Sequence, residues 1–192
     1  MNNAELLREP VVETSRAGTI DMKLEVVVLP VSDADRAKRF YGDLGWRLDI
    51  DYTGDDYRVI QFTPPGSNCS IIFGRNVATT APGSAKGLHL IVSDIQAARE
   101  DLLRRGIAIS EPFHDAGGIF HHAGGESLVS GPNPQRKSYA SFASFSDPDG
   151  NGWVFQEITA RLTGHIEPDD TSFTPELTNV VRRAASGNGA IP

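Results

Sequence analysis

The chain repeats itself. Val31-Ser32-Asp33 returns 61 residues later as Val92-Ser93-Asp94, and Gly45 returns at the same spacing as Gly106. Further on, Gln61-Phe62-Thr63-Pro64-Pro65-Gly66-Ser67-Asn68 aligns with Ser144-Phe145-Ser146-Asp147-Pro148-Asp149-Gly150-Asn151, now 83 residues away. Matches in the same order at two offsets indicate internal duplication, which restricts the chain to two copies of one supersecondary unit. The offsets differ by 22 residues, so the second copy carries an insertion between Gly106 and Tyr139.

The unit can be read from the first copy. Residues 24–31 place Val27, Leu29 and Val31 on one face of a strand and Val26, Val28 and Pro30 on the other. Both faces are apolar, which predicts a strand covered on both sides. Ser32-Asp33-Ala34-Asp35 then supplies a capping-box-like helix start; Ala37, Phe40, Tyr41 and Leu44 recur at helical spacing, and Gly45 ends the helix. Three short β-like runs follow at 46–52, 57–63 and 69–73, separated by Thr-Gly-Asp-Asp and Pro-Pro-Gly-Ser-Asn turn chemistry. The grammar is β-α-β-β-β twice, an α+β class, with module one at 23–74 and module two at 87–159.

Three segments stand outside the repeat. Residues 1–22 are aperiodic and read as an arm. The Gly-, Pro- and His-rich stretch 113–137 reads as one long loop, either a functional lid or a solvated surface insertion. Residues 160–192 form a tail, with a helix expected over 175–185 from Leu177, Val180, Val181 and Ala184, packing on the core or on a partner subunit.

Composition narrows the function. The net charge is −7, and no basic run exceeds Arg182-Arg183, which argues against a nucleic-acid or anionic-membrane partner. The single cysteine, Cys69, excludes an intrachain disulfide and any Cys-based zinc site. No apolar run resembles a signal peptide or a membrane span, so a cytoplasmic protein is expected.

The two modules, the Val-Ser-Asp helix start, Phe40-Tyr41-x-x-Leu44-Gly45-Trp46 and Asp147-Pro148-Asp149-Gly150-Asn151 together resemble the vicinal oxygen chelate superfamily. That group holds glyoxalase-like lyases, extradiol dioxygenases, epimerases, fosfomycin-type resistance enzymes and bleomycin-binding proteins. The resemblance covers residues 23–159. It implies a cup-shaped mixed sheet with helices outside and ligands on the concave face. In metal-using members, a His or Glu stands five residues before the Val of each helix start, and a Glu three residues after the Asn of Asp-Pro-Asp-Gly-Asn. Those positions here are Val26, Gly87 and Val154. None carries a lone pair for a divalent metal.

Side chains alternate along a strand, so positions two residues on, His89 and Gln156, also face the cup, and Gln61 and Ser144 can join them. One imidazole and one amide suit hydrogen bonding or proton transfer better than metal binding. The lone His89 is equally readable as a satisfied strand residue. The insertion adds His114, Asp115, His121 and His122, which on a closed lid would contact substrate. A shifted divalent-metal site of His89, His121 or His122, and His114 or Asp115 remains open. Tyr139 is a candidate phenol donor or a strand-edge anchor. The Asp147–Asn151 segment reads as a turn rather than a calcium loop, and Trp46, Trp153, Phe62 and Phe145 read as core.

Two functions follow. One is a glyoxalase-like lyase, isomerase or dioxygenase-type enzyme whose usual metal positions are lost, with His89, Tyr139 and His121 as catalytic candidates and Gln61, Gln156, His114, Asp115 and His122 as substrate contacts. The other is a non-catalytic protein that sequesters a small molecule. No cofactor is assigned, a divalent metal is left as an alternative although the family's ligand positions are Val26, Gly87 and Val154, and a homodimer is compatible with both functions.

Overall fold

The computed structural model describes residues 22–117 and 127–159, and residues 174, 175, 178 and 179. Module one contains β1 (Val26–Val28), α1 (Ala34–Asp43), β2 (Arg47–Thr53), β3 (Arg58–Thr63) and β4 (Ser70–Arg75). Module two contains β5 (Leu88–Val92), α2 (Ile95–Arg104), β6 (Phe113–Asp115), β7 (Leu128–Ser130), β8 (Ser141–Ser146) and β9 (Gly152–Glu157). The strands form two sheets, ordered β1-β4-β3-β2 and β5-β9-β8-β6-β7. In each, the first strand runs parallel to its neighbour and the remaining pairs are antiparallel.

The repeated Val-Ser-Asp is a repeated helix cap. Asp33 accepts from the backbone N–H of Asp35 and Arg36, and Asp94 from that of Gln96 and Ala97. Each cap satisfies donors that the first helical turn leaves open. Ala37 and Tyr41 of α1, and Ile95 and Leu102 of α2, are buried against the sheets.

Two expectations need correction. The first strand is shorter than 24–31, and it is covered on one face only. Val27 packs into the core, whereas Val26 and Val28 are 38% and 44% exposed. The helix can shield only one side of the sheet, and nothing among the described residues seals the other.

The stretch 113–137 is not one irregular loop either. Ile109 bridges Phe145 and Phe113 pairs with Phe142, at the offsets of 61 and 83 from the module-one pairs Leu48 with Phe62 and Tyr52 with Val59. The second strand of module two therefore runs on to Asp115, broken at Pro112, which has no N–H to give to a ladder. The extra residues lie beyond Asp115 and before Ser141, and Leu128–Ser130 uses some of them to add an edge strand. Of the expected tail helix, Pro175, Thr178 and Asn179 are helical, and the Thr178 N–H donates to the Thr174 carbonyl at 3.0 Å. The rest of that helix and nearly all of the arm lie outside the described residues.

One hydrophobic cluster spans both modules. Tyr41 is fully buried within it, 5.2 Å from Trp46, 5.3 Å from Phe73 and 6.2 Å from Trp153 between ring centroids. Trp46, Trp153, Phe62 and Phe145 are buried, as their spacing predicts. The Asp147–Asn151 turn also staples the modules. Tyr41 Oη donates to Asp147 Oδ2 at 2.9 Å, Arg36 Nη2 donates to Asp149 Oδ1 at 2.8 Å, and Asn151 Nδ2 donates to the Pro30 carbonyl at 3.0 Å. The modules thus meet on their helix sides, and the opposite face of each sheet points away from this contact. No helix among the described residues is long and apolar enough to cross a membrane.

Candidate functional site

The open face of each sheet follows from strand alternation and register. In module one, Val28, Ile72, Gln61 and Ile50 form one row across β1, β4, β3 and β2. The equivalent row of module two is His89, Val154 and Ser144 across β5, β9 and β8. The next row is Gly74, Val59 and Tyr52 in module one, and Gln156, Phe142 and Phe113 in module two. Matching rows carry different chemistry: module one offers an aliphatic face, and module two places an imidazole and an amide side by side.

The asymmetry has a steric cause. A Cβ at Gly74 would stand 1.8 Å from the Arg58 carbonyl oxygen, so module one cannot carry a counterpart of Gln156. On this face Val26, Val28, Ile50 and Tyr52 are exposed apolar side chains, with Tyr52 at 57%. The Tyr52 and Tyr57 rings lie 6.0 Å apart at one end of this face.

His89 is exposed on the open face rather than packed between helix and sheet. Its Nδ1 lies 3.4 Å from Gln156 Oε1. Gln156 is buried, and its Nε2 donates to the Tyr139 carbonyl at 3.0 Å. That bond turns Oε1 towards the ring, which favours the proton on Nδ1. Tyr139 enters the site through its backbone: it has φ 70°, its N–H donates to the Glu157 carbonyl at 2.8 Å, and its own carbonyl receives Gln156. Arg136 holds the same loop by an ion pair to the fully buried Glu157.

The insertion residues separate. Alternation puts His114 on the helix side of β6, where Nδ1 lies 2.8 Å from the Gly131 carbonyl, so it does not face the cup. Asp115 lies on the open-face side but is buried, accepting from the Gly117 N–H at 2.7 Å. Register sets it one row beyond Phe113 and two beyond that of His89, so the two are not a proton-transfer pair. His121 and His122 lie outside the described residues.

A polar cluster on the module-one face was not anticipated apart from Gln61. Gln61 Nε2 donates to Ser70 Oγ at 3.2 Å, Ser70 Oγ and Thr63 Oγ1 are 2.7 Å apart, Thr63 Oγ1 donates to Asp49 Oδ2, and Arg47 Nε donates to Asp49 Oδ1 at 2.5 Å. The hydrogen bond from Arg47, followed by that from Thr63, holds the Asp49 carboxyl below the usual carboxylate range. Period-two reading misses Asp49 because β2 is bulged between Leu48 and Ile50, and a bulge re-aims a side chain.

The family's metal positions do not fit a metal. Val26 lies on one sheet and Val154 on the other, and both are aliphatic. Gly87 has φ 68°. An imidazole-bearing residue there would adopt a left-handed backbone at a cost of about 1–2 kcal/mol. Among the described residues no three His, Cys, Asp or Glu side chains cluster to hold an ion.

The sequence model of the Glyoxalase/Bleomycin resistance protein/Dioxygenase superfamily matches residues 23–155. The chain belongs to that superfamily. Solved structures agree. TnmS3, an antibiotic binding protein from Streptomyces sp. CB03234, is 28% identical, with 73% of this chain and 99% of that one covered and a TM-score of 0.55. A glyoxalase/bleomycin resistance protein from the same organism is 29% identical over 70% of this chain and 100% of that one, with a TM-score of 0.52. A superfamily member from Sphaerobacter thermophilus DSM 20745, 24% identical over 72% of this chain and 99% of that one, shares the fold at a TM-score of 0.53. No curated protein matches. Within the superfamily, this chain keeps the two-module frame.

Proposed function

We propose that the protein captures a small, largely apolar organic molecule without a metal, in a cup completed by a second copy of the chain. The observation that carries this reading is the open face of module one. Four large apolar side chains there are 38–57% exposed on a surface whose only polar group in the central row is the Gln61 amide. Exposed contiguous apolar surface marks a ligand or partner site. The antibiotic-binding relative supports capture over turnover, because it shares the frame at 28% identity over nearly its whole length.

Two copies are needed because the modules of one chain meet on their helix sides, which leaves each half-cup facing outward. Among the described strands, β1 and β5 each stand at the edge of their sheet. Pairing β1 of one copy with β5 of the other covers both edges, which a short all-valine strand otherwise leaves open to aggregation. It also sets the aliphatic row of one copy against the His89–Gln156 pair of its partner. A ligand in such a cup meets an apolar wall and a polar wall. His89 then serves as a hydrogen-bonding group, held beside the Gln156 amide.

The second reading, acid/base catalysis by His89, rests on the same exposed imidazole. Heteronuclear NMR of the wild-type protein titrated with 2-naphthol separates capture from an unoccupied cup. Capture gives saturable shifts at Val28, Ile72, His89 and Gln156. Shifts confined to the helix side, or none at all, would rule it out.

A further inference from the structure

Four side chains on the open face of module one form a chain in which every proton has one possible position. Asp49 is an acceptor at neutral pH, because Arg47 and Thr63 both stabilise its carboxylate. Thr63 has one hydroxyl proton, and it is committed to Asp49 Oδ2. Thr63 Oγ1 therefore accepts across the 2.7 Å contact with Ser70, which commits the Ser70 proton in turn. Ser70 Oγ can then only accept from its other neighbour, so Gln61 must turn its NH2 towards it. The Gln61 amide N–H also contributes to holding the Asp49 carboxyl low, consistent with the same orientation. Thr63 and Ser70 are each 5% exposed, so water has little access to rearrange the chain.

Once the NH2 is fixed, the opposite end of the amide is fixed too. Gln61 Oε1 takes no hydrogen bond from the described residues and is not among their sealed polar atoms. It lies in the central row of the open face, between Ile72 and Ile50. We infer that Asp49 sets the polarity of this chain so that the cup presents the Gln61 carbonyl oxygen, selecting ligands that carry an O–H or N–H donor. The inference builds on the proposal that the ligand enters the cup, and it names the ligand chemistry that this wall recognises. Asp49 is here a positioning residue, acting through three others.

Asp49→Asn should reverse the chain rather than weaken it. Arg47 Nε has only hydrogens to offer, so it retains the amide oxygen of the new side chain, and the NH2 falls opposite Thr63. Thr63 then donates to Ser70, Ser70 donates to Gln61, and the Gln61 amide turns over to present its NH2 to the cup. Thr63→Val cuts the chain without reversing it.

Two measurements test this. In the ligand-free protein, NOEs from the Gln61 side-chain NH2 to the Ser70 β-protons are expected in wild type and lost in Asp49→Asn. In titrations, 2-naphthol supplies a donor and 2-methoxynaphthalene the same ring system without one. The ratio of their affinities should fall about tenfold from wild type to Asp49→Asn, with Thr63→Val between them. Should Asp49→Asn fail to fold, the smaller fall in Thr63→Val carries the comparison. NOEs absent from wild type or unchanged in the variant would overturn the polarity. An unchanged affinity ratio with altered NOEs would overturn ligand selection alone. Failure of both probes to bind wild type, with the NOEs as expected, would instead refute capture in the cup.

Discussion

Tyr41→Phe removes one oxygen from the junction between the modules, and the cost can be worked out from its partners. The hydroxyl donates to Asp147 Oδ2 at 2.9 Å and accepts from Trp153 Nε1 at 3.3 Å, and Tyr41 is fully buried. Burial, then the Asp147 charge, raises the phenol well above its usual range, so it remains a donor at every accessible pH. A hydrogen bond to a charged group contributes about 1.5–3 kcal/mol, and an orphaned buried donor costs about 1–3 kcal/mol. Asp147 keeps three other donors, from the Asp149 and Asn151 N–H groups and Asn151 Nδ2, so its charge is not abandoned. The expected loss is therefore about 2–4 kcal/mol, measured as a lower urea midpoint at unchanged m-value. In a chain of this size it corresponds to a fall in Tm of roughly 5–15 °C. A cycle with Asp147→Asn should give a coupling of at least about 1 kcal/mol. A loss below about 0.5 kcal/mol, or no coupling, would show that the modules are held by packing alone and that the staple contributes nothing.

Other perturbations have equally definite outcomes. Hydrogen bonds from Arg58 and then Lys38 hold Asp51 well below the usual carboxylate range, and its side chain is 21% exposed. A carboxyl depressed on folding stabilises the fold above its unfolded pKa of about 3.9 and loses that contribution as pH falls through its folded value. Urea melts of Asp51→Asn should therefore lose less stability than wild type between about pH 5 and 2. His89→Gln should weaken 2-naphthol binding by less than about tenfold, since an amide replaces one hydrogen-bonding group with another. No product should appear by chromatography with either protein, and a wild-type product lost in the variant would favour catalysis. The proposed second copy predicts a wild-type dimer in sedimentation at micromolar concentration, and Val28→Lys, which sets a charge on the edge strand, should give a monomer. A dimer that survives this change would place the interface elsewhere.

The repeat made most of the fold legible. Its offsets located both helix caps, and the register of Ile109 with Phe145 and of Phe113 with Phe142 obeys the same 61 and 83 spacing. Alternation also put His89 and Gln156 on one face, and the structure sets them 3.4 Å apart. It misled where local geometry departs from a flat strand. Pro112 hid the start of β6, and the bulge in β2 hid Asp49. His114 illustrates a further gap: its residue type suggested a ligand contact, but only strand pairing shows that it lies on the helix side. That the modules meet through Tyr41, Asp147 and Trp153 is a tertiary fact that no period in the sequence encodes.

The most direct test of metal-free capture is titration of wild-type protein with 2-naphthol before and after exhaustive treatment with EDTA, followed by recovery of the probe. Contacts from aliphatic rows and side-chain amides predict the same dissociation constant in both samples and a probe recovered unchanged. Binding abolished by EDTA and restored by a divalent metal would contradict it.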